Sequence, residues 1–256
     1  MLACPVRNCG ATLPDTGRTR RCAKGHSFDE ARSGYLNLLQ PQDSRSRQPG
    51  DSAAVAAARR RLHDRGTSSD VLRAAAEMLR LRESDLLLEA GCGDGFYAAQ
   101  FARESRCQAW GVDISAASVE AAARRYEHCR WIVANADRRL PFADRVFTAV
   151  VTVAARLQPN EFRRVLQADG KLLVGVPSAE DLQEIRGTGR DRSSRVLEEC
   201  GSDFRLEEQR RVTARIWLDA EGIEDVRLSI YRPMQAEPAA AMTVTFSLDL
   251  FLFTVG

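Results

Sequence analysis

Across residues 85–176, short apolar runs alternate with segments whose apolar residues recur every three or four positions. That alternation predicts strands at 85–90, 109–113, 130–135, 147–154 and 171–176, with helices at 96–104, 116–127 and 159–167. Buried strands separated by helices read as βαβ units and so as a parallel sheet. Ahead of this block, Val71, Leu72, Ala75, Met78 and Leu79 stand at helical spacing and predict a helix over 69–82. An Ala/Arg-rich helix over 53–64 precedes it, with Asp51 or Ser52 as its cap. The tail breaks the rhythm. Arg211–Leu218 and Met242–Val255 are rich in β-branched and aromatic residues, which suits an antiparallel pair closing one edge of the sheet.

The first 36 residues hold turn formers and few apolar runs, too little to fold on a core without a staple. Residues 40–52 form a polar linker bearing Pro and Gly. The pattern divides the chain into a small module (1–36), a linker with a basic helix (37–68) and a main domain (69–256).

With 256 residues and 44% hydrophobic content, the chain has material for a full core plus an accessory module. No apolar run approaches the roughly 18–20 residues of a membrane span. The cysteine-rich start does not read as a secretory signal, so a cytoplasmic location is expected. Charge is uneven: residues 1–65 carry 12 basic against 6 acidic residues, net +6, and the remainder 25 against 29, net −4. A basic front end on a mildly acidic body points to a polyanionic partner. Arg45 and Arg47 on the linker, with Arg59, Arg60 and Arg61 on the helix, are the preferred phosphate contacts, a solvated face being the alternative. Seven cysteines, four of them scattered, exclude a secreted disulfide framework.

Cys4-x4-Cys9-x12-Cys22-x3-His26 supplies two close ligand pairs across a loop, as a tetrahedral zinc requires. With all four positions filled by protein, the metal would hold shape and leave no open site for catalysis.

The first strand of the main block runs into Glu89-x-Gly91-x-Gly93-x-Gly95, and a helix opens at Phe96. Glycines let the backbone turn sharply against a ligand, and the helix start offers free N–H groups. Such a loop serves NAD as well as S-adenosylmethionine, but two details favour the latter. Glu89 stands before the first glycine, where it can meet a methionine amino group. Asp113 ends the second strand 22 residues after Gly91, placed to accept both ribose hydroxyls. Asn135 and Asp137, after the third strand, are placed to read an adenine edge. Nothing downstream looks like a hydride-transfer site.

Taken together, Cys4-Pro5, Cys22, His26, Phe28, Asp29, Ala31, Arg32, Gly34, Tyr35, Asn37, Leu38 and Leu39, then the 44–52 linker and Ala58-Arg59-Arg60, resemble the 23S ribosomal RNA guanine-N1 methyltransferase family. That family includes a housekeeping enzyme and tylosin-resistance enzymes. The resemblance implies a class I S-adenosylmethionine-dependent methyltransferase with a mostly parallel, seven-stranded sheet and an N-terminal zinc module that helps grip RNA. It further implies methylation of one guanine N1 in hairpin 35 of 23S rRNA, and a homodimer. Three segments depart from the family pattern: Thr67-Ser68 where His-Tyr is usual after Gly66, Ala154-Ala155-Arg156 where Ala-Pro is usual, and Arg232-Pro233-Met234 in place of a Met-Thr-Pro-like segment. They leave open a methyltransferase drifted to another RNA or a small molecule, or a non-catalytic RNA-binding protein. Asp144 is the weak candidate for the base that deprotonates guanine N1. His63 and His128 read as surface helix residues, and Tyr35, Phe28 and Trp217 as options for stacking on an exposed base.

Overall fold

A computed structural model describes residues 1–14, 17–43, 49–201, 203–230 and 240–256. The N-terminal module is two small antiparallel ribbons: β1 (Leu2–Ala3) with β2 (Thr12–Leu13), and β3 (Thr19–Arg21) with β4 (Ser27–Asp29). β5 (Tyr35–Asn37) then leaves the module and joins the main sheet. Two helices follow, α1 (Ala53–Asp64) and α2 (Ser69–Leu79). Ser52 caps α1, its hydroxyl accepting from Val55 N–H at 3.3 Å. α2 stops three residues short of the expected 82 because Arg80 turns left-handed (φ 51°). Lys171 Nζ, 2.6 Å away, takes the free carbonyl of Leu79.

The main block runs β6 (Leu86–Ala90), α3 (Phe96–Ser105), β7 (Gln108–Asp113), α4 (Ala116–Arg125), β8 (Arg130–Val133), β9 (Phe147–Val153), α5 (Pro159–Val165) and β10 (Leu166–Pro177). After it come α6 (Gln183–Arg186), α7 (Ser193–Cys200), β11 (Phe204–Leu218), α8 (Ala220–Ser229) and β12 (Met242–Val255). The sheet order is β11-β12-β10-β9-β6-β7-β8-β5. β5 to β10 run parallel, and β12 is antiparallel to both β10 and β11. The seven strands expected are therefore eight. Tyr35, Leu36 and Asn37 align beside Trp131, Ile132 and Val133, so a strand of the front end covers the edge of β8.

β11 is longer than the expected 211–218. Its first half reads as a charged segment, but Phe204 through Leu218 pair along β12, with a bulge between Leu206 and Glu208.

The order reverses at β6, with β7 and β8 to one side and β9 and β10 to the other, which opens a crevice at the carboxyl ends of the strands. One face of the sheet packs Leu88, Val150, Leu172, Phe251 and Phe253 in a core shared with Leu2, Cys4, Leu13 and Cys22 of the module. The other packs Leu87, Val151 and Leu173 against α2, α3 and α4. The metal module is thus continuous with the main core and is not a tethered bead.

Candidate functional site

The module brings Cys4, Cys9, Cys22 and His26 together, with all ligand atoms within 4.8 Å of one another. Sγ of Cys9 and Cys22 are 3.8 Å apart, and His26 Nδ1 lies 3.5 Å from Cys4 Sγ and 3.4 Å from Cys22 Sγ. A tetrahedral zinc with Zn–S about 2.3 Å and Zn–N about 2.0–2.1 Å has edges near ~3.8 Å (S···S) and ~3.5 Å (S···N). The four side chains fit that ion. Lys24 Nζ braces the first knuckle, donating to the carbonyls of Asn8 (3.2 Å) and Cys9 (3.4 Å).

At the carboxyl end of β6 the chain turns through Gly91, Gly93 and Gly95, all at positive φ. Gly95 (φ 79°) has no alternative: a Cβ there would lie 2.3 Å from Cη2 of Trp131, whose ring underlies the turn. A Cβ on Gly91 (φ 77°) would lie 2.4 Å from that of Ala155 in the β9–α5 loop. Glu89 is only 2% exposed, and its Oε2 accepts from Ala98 N–H at 2.8 Å, tying β6 to the first turn of α3. Burial pushes its carboxyl well above the ordinary range. Asp113 ends β7 and accepts from Gly93 N–H (2.9 Å) and Ser115 N–H (2.8 Å), so the tips of both strands are locked together. Asn135 and Asp137 follow β8 on the same edge, joined by Asn135 Oδ1 accepting from Asp137 N–H at 2.9 Å. The structure brings all seven expected cofactor positions to one edge of the sheet.

Helix α1 roofs this loop. Gly50 packs on Ile114 and Ser115, and Ser115 Oγ donates to the Asp51 carbonyl at 2.6 Å. Arg59 pairs with Asp51, and its Nη1 stands 3.9 Å from where a Cβ on Gly93 would be. His63 lies flat on Phe96, ring centroids 4.1 Å apart and planes 1° from parallel. Burial, then the nearby Arg59, lowers the His63 pKa to about 3, so the ring is neutral. His63 is therefore no surface residue. Its Nδ1 meets Ser68 Oγ at 2.8 Å, and its Nε2 faces Asp94 Oδ1 at 3.7 Å. The glycine cradle and a buried carboxylate oxygen of Asp94 without a partner among the described residues fit a cationic, nucleoside-bearing cofactor.

Two family models match the chain: one described as "Methyltransferase domain" over residues 87–173, the other as "RlmA, N-terminal" over residues 2–47. The chain is 30% identical to the 23S rRNA (guanine(748)-N(1))-methyltransferase of Streptomyces fradiae, over 87% of this chain and 81% of that protein. A Micromonospora griseorubida relative named for the same guanine-N1 reaction is 36% identical, over 72% of this chain and 68% of that one. The chain belongs to the 23S rRNA (guanine-N1)-methyltransferase family. Solved structures share the fold at lower identity. A Haloferax volcanii methyltransferase complexed with its Trm112 activator superposes with TM-score 0.58 at 16% identity, covering 82% of this chain and 98% of that one. A Thiobacillus denitrificans S-adenosylmethionine-dependent methyltransferase bound to S-adenosylhomocysteine gives TM-score 0.50 at 17% identity, covering 72% and 90%.

Two of the three segments that depart from the family pattern border the loop. Thr67 is buried and bonds back to the Leu62 carbonyl at 2.9 Å, while Ser68 holds His63. Ala155 sits over Gly91, and the exposed Arg156 reaches across to Asp137 at 3.3 Å. Arg232, Pro233 and Met234 lie outside the described residues, as do Arg45 and Arg47.

The structure separates the helix arginines. Arg60 lines a groove floored by Ala53, Ala56 and Ala117 and rimmed by Arg124 and Arg125 between α1 and α4. Arg61 instead turns to α8, where its guanidinium grips the buried Asp225 at 2.9 and 2.5 Å, so it serves as a strut. Asp144 is not brought to the site. It precedes β9 at the amino edge of the sheet, 67% exposed and paired with Arg164 at 2.8 Å, which holds its carboxyl below the usual range. His128 is exposed, as expected. Of the stacking options, Phe28 and Tyr35 are half-buried against the core, while Trp217 is 66% exposed at the carboxyl end of β11, on the same edge as the glycine loop.

His63, read from sequence as a surface residue, instead stacks on Phe96 directly after the glycine loop, and Asp94 inside the loop carried no assignment.

Proposed function

We propose that this chain transfers a methyl group from S-adenosylmethionine to N1 of a guanine in a hairpin of 23S ribosomal RNA, hairpin 35 being the family's substrate. The observation that supports this reading is the packing of basic helix α1 over the glycine loop, with Arg59 paired to Asp51 and His63 stacked on Phe96. When bound, the cofactor supplies an activated methyl on a sulfonium. The protein's task is then to hold the acceptor in line, within about 3–3.5 Å, while the guanine N1 proton passes to water and S-adenosylhomocysteine is released. Gly91, Gly93, Gly95, Asp113, Asn135 and Asp137 are assigned to the cofactor, Glu89 to holding their loop against α3, and Cys4, Cys9, Cys22 and His26 to a structural zinc. The zinc module, Arg45, Arg47 and Arg60 are assigned to the RNA backbone, and Trp217 to an unstacked base. Residues 1–36 and the 37–68 linker serve recognition, and residues 69–256 chemistry.

The family's other traits, a homodimer, action in the cytoplasm and an altered response to tylosin, are extended to this chain on the same ground. Among the described residues no helix is long and apolar enough to cross a membrane. The proposal is tested by incubating the zinc-loaded protein with methyl-labelled cofactor and a hairpin 35 transcript. Label should enter the folded hairpin and not its sequence-scrambled, unpaired counterpart. Equal labelling of both, or of neither, contradicts it.

A further inference from the structure

The glycine loop carries two buried carboxyl groups, and the structure treats them differently. Glu89 Oε2 already accepts from Ala98 N–H at 2.8 Å. Asp94, 5% exposed, lies inside the turn between Gly93 and Gly95; its carboxyl interacts with the Phe96 N–H, but its Oδ2 has no hydrogen-bond partner among the described residues. Its other oxygen is 3.7 Å from His63 Nε2, beyond a hydrogen bond, and the neutral imidazole brings no compensating charge. Leaving a buried carboxylate oxygen unmatched is expensive, and a ligand cation removes that cost. We infer that Asp94, and not Glu89, receives the α-ammonium of the cofactor's methionine moiety, Glu89 being a positioning residue that ties the loop to α3.

The surroundings agree. Arg59, held by Asp51, stands across Gly93, so an anion and a cation flank the loop as an amino-acid zwitterion requires. Burial raises the Asp94 carboxyl to about 6, against the opposing pull of Arg125, Arg59 and Arg60, as fits a group whose partner arrives with the ligand. The inference rests on the reading that this loop binds S-adenosylmethionine.

Calorimetry on the full-length, zinc-loaded protein tests it with two probes: S-adenosylhomocysteine and its deaminated analogue, in which hydrogen replaces the α-amino group. Wild type should prefer the amino compound by about tenfold or more, the scale of a buried charge-assisted hydrogen bond. Asp94→Asn should erase that preference while leaving affinity for the analogue unchanged. Glu89→Gln should weaken both ligands by a similar factor. Equal loss of both ligands in D94N, loss of neither, or a preference erased by E89Q instead overturns the inference. If wild type binds neither probe, the cofactor reading itself has failed, and this inference with it. Should D94N not fold, wild type and E89Q decide alone. The groups facing Asp94 are His63, Arg59 and Arg60 from α1, Arg125 and Tyr126 at the end of α4, Tyr97 from α3, and Cys92 and Glu89 of the loop and its strand. The preference should collapse in both proteins between pH 7.5 and 5 as Asp94 takes up its proton; a preference independent of pH, or one that loses its pH dependence in E89Q, overturns the inference.

Discussion

His63, near the end of the basic helix, stacks face to face on Phe96, the first residue of the helix that follows the glycine loop. The contact couples basic helix α1 to the glycine loop, and it gives the fold a pH signature. The folded state holds His63 neutral down to about pH 3, whereas the unfolded chain protonates it near its ordinary 6.5. Stability is therefore lost as pH falls across that window. His63→Phe keeps the stack without the titration. Denaturant melts should show its stability relative to wild type growing by about 1 kcal/mol per pH unit below pH 6. Asp94 contributes with the opposite sign, since its raised pKa favours the fold at low pH. Because Asp94 lies 3.7 Å from His63, the comparison is repeated with Asp94→Asn in both proteins, which removes its contribution. A gap constant from pH 7 to 4 would show that His63 charges freely in the folded protein.

The two tight glycines should fail differently. Gly95→Ala drives a methyl into the Trp131 ring at a left-handed position and should cost about 3 kcal/mol of stability, read by thermal melting. Gly91→Ala meets only the Cβ of Ala155 in a half-exposed loop, which can shift. Its melting temperature should fall less than that of G95A, while affinity for S-adenosylhomocysteine falls at least tenfold, about 1.4 kcal/mol.

Zinc removal should be felt beyond the module. Leu2, Cys4, Leu13 and Cys22 share a core with Phe142, Trp110 and Leu88 of the main domain, so chelation uncovers that face. Cys22→Ser should abolish bound zinc by elemental analysis and lower the single melting transition of the whole chain. A main-domain transition left unmoved by metal loss would mean that the module is only tethered.

Arg60 and Arg61 are neighbours with opposite expectations. Arg61→Ala leaves the buried Asp225 of α8 without its partner and should lower the melting temperature by several degrees. Arg60→Ala should leave melting within a degree or two but weaken binding to the 23S hairpin and flatten its salt dependence by about one counterion. Reversed outcomes would redraw the RNA face of α1.

What the sequence made legible was chemistry held within a few residues. The metal ligands and the glycine turn are local devices whose residue types dictate their geometry, and the strands from 85 onward announce themselves by burial. What stayed hidden depends on distant partners. Tyr35–Asn37 is too short to read as a strand until β8 lies beside it. Arg205, Glu207 and Glu208 mask a strand whose pairing comes from β12, some forty residues later. His63 sits on a polar helix, and only the return of Phe96 beneath it makes it an inside residue. Asp144, conversely, lies on the connection from β8 to β9, which crosses from one edge of the sheet to the other and leaves it away from the glycine loop.

The most direct test of the account is nucleoside analysis of 23S rRNA after reaction with the protein and methyl-labelled S-adenosylmethionine. Digestion and mass spectrometry should find the label in 1-methylguanosine, at one site per rRNA, and at limiting cofactor its rate of incorporation should fall about tenfold or more with the Gly91→Ala variant. Label in any other nucleoside, or none from a protein that binds S-adenosylhomocysteine, would contradict it.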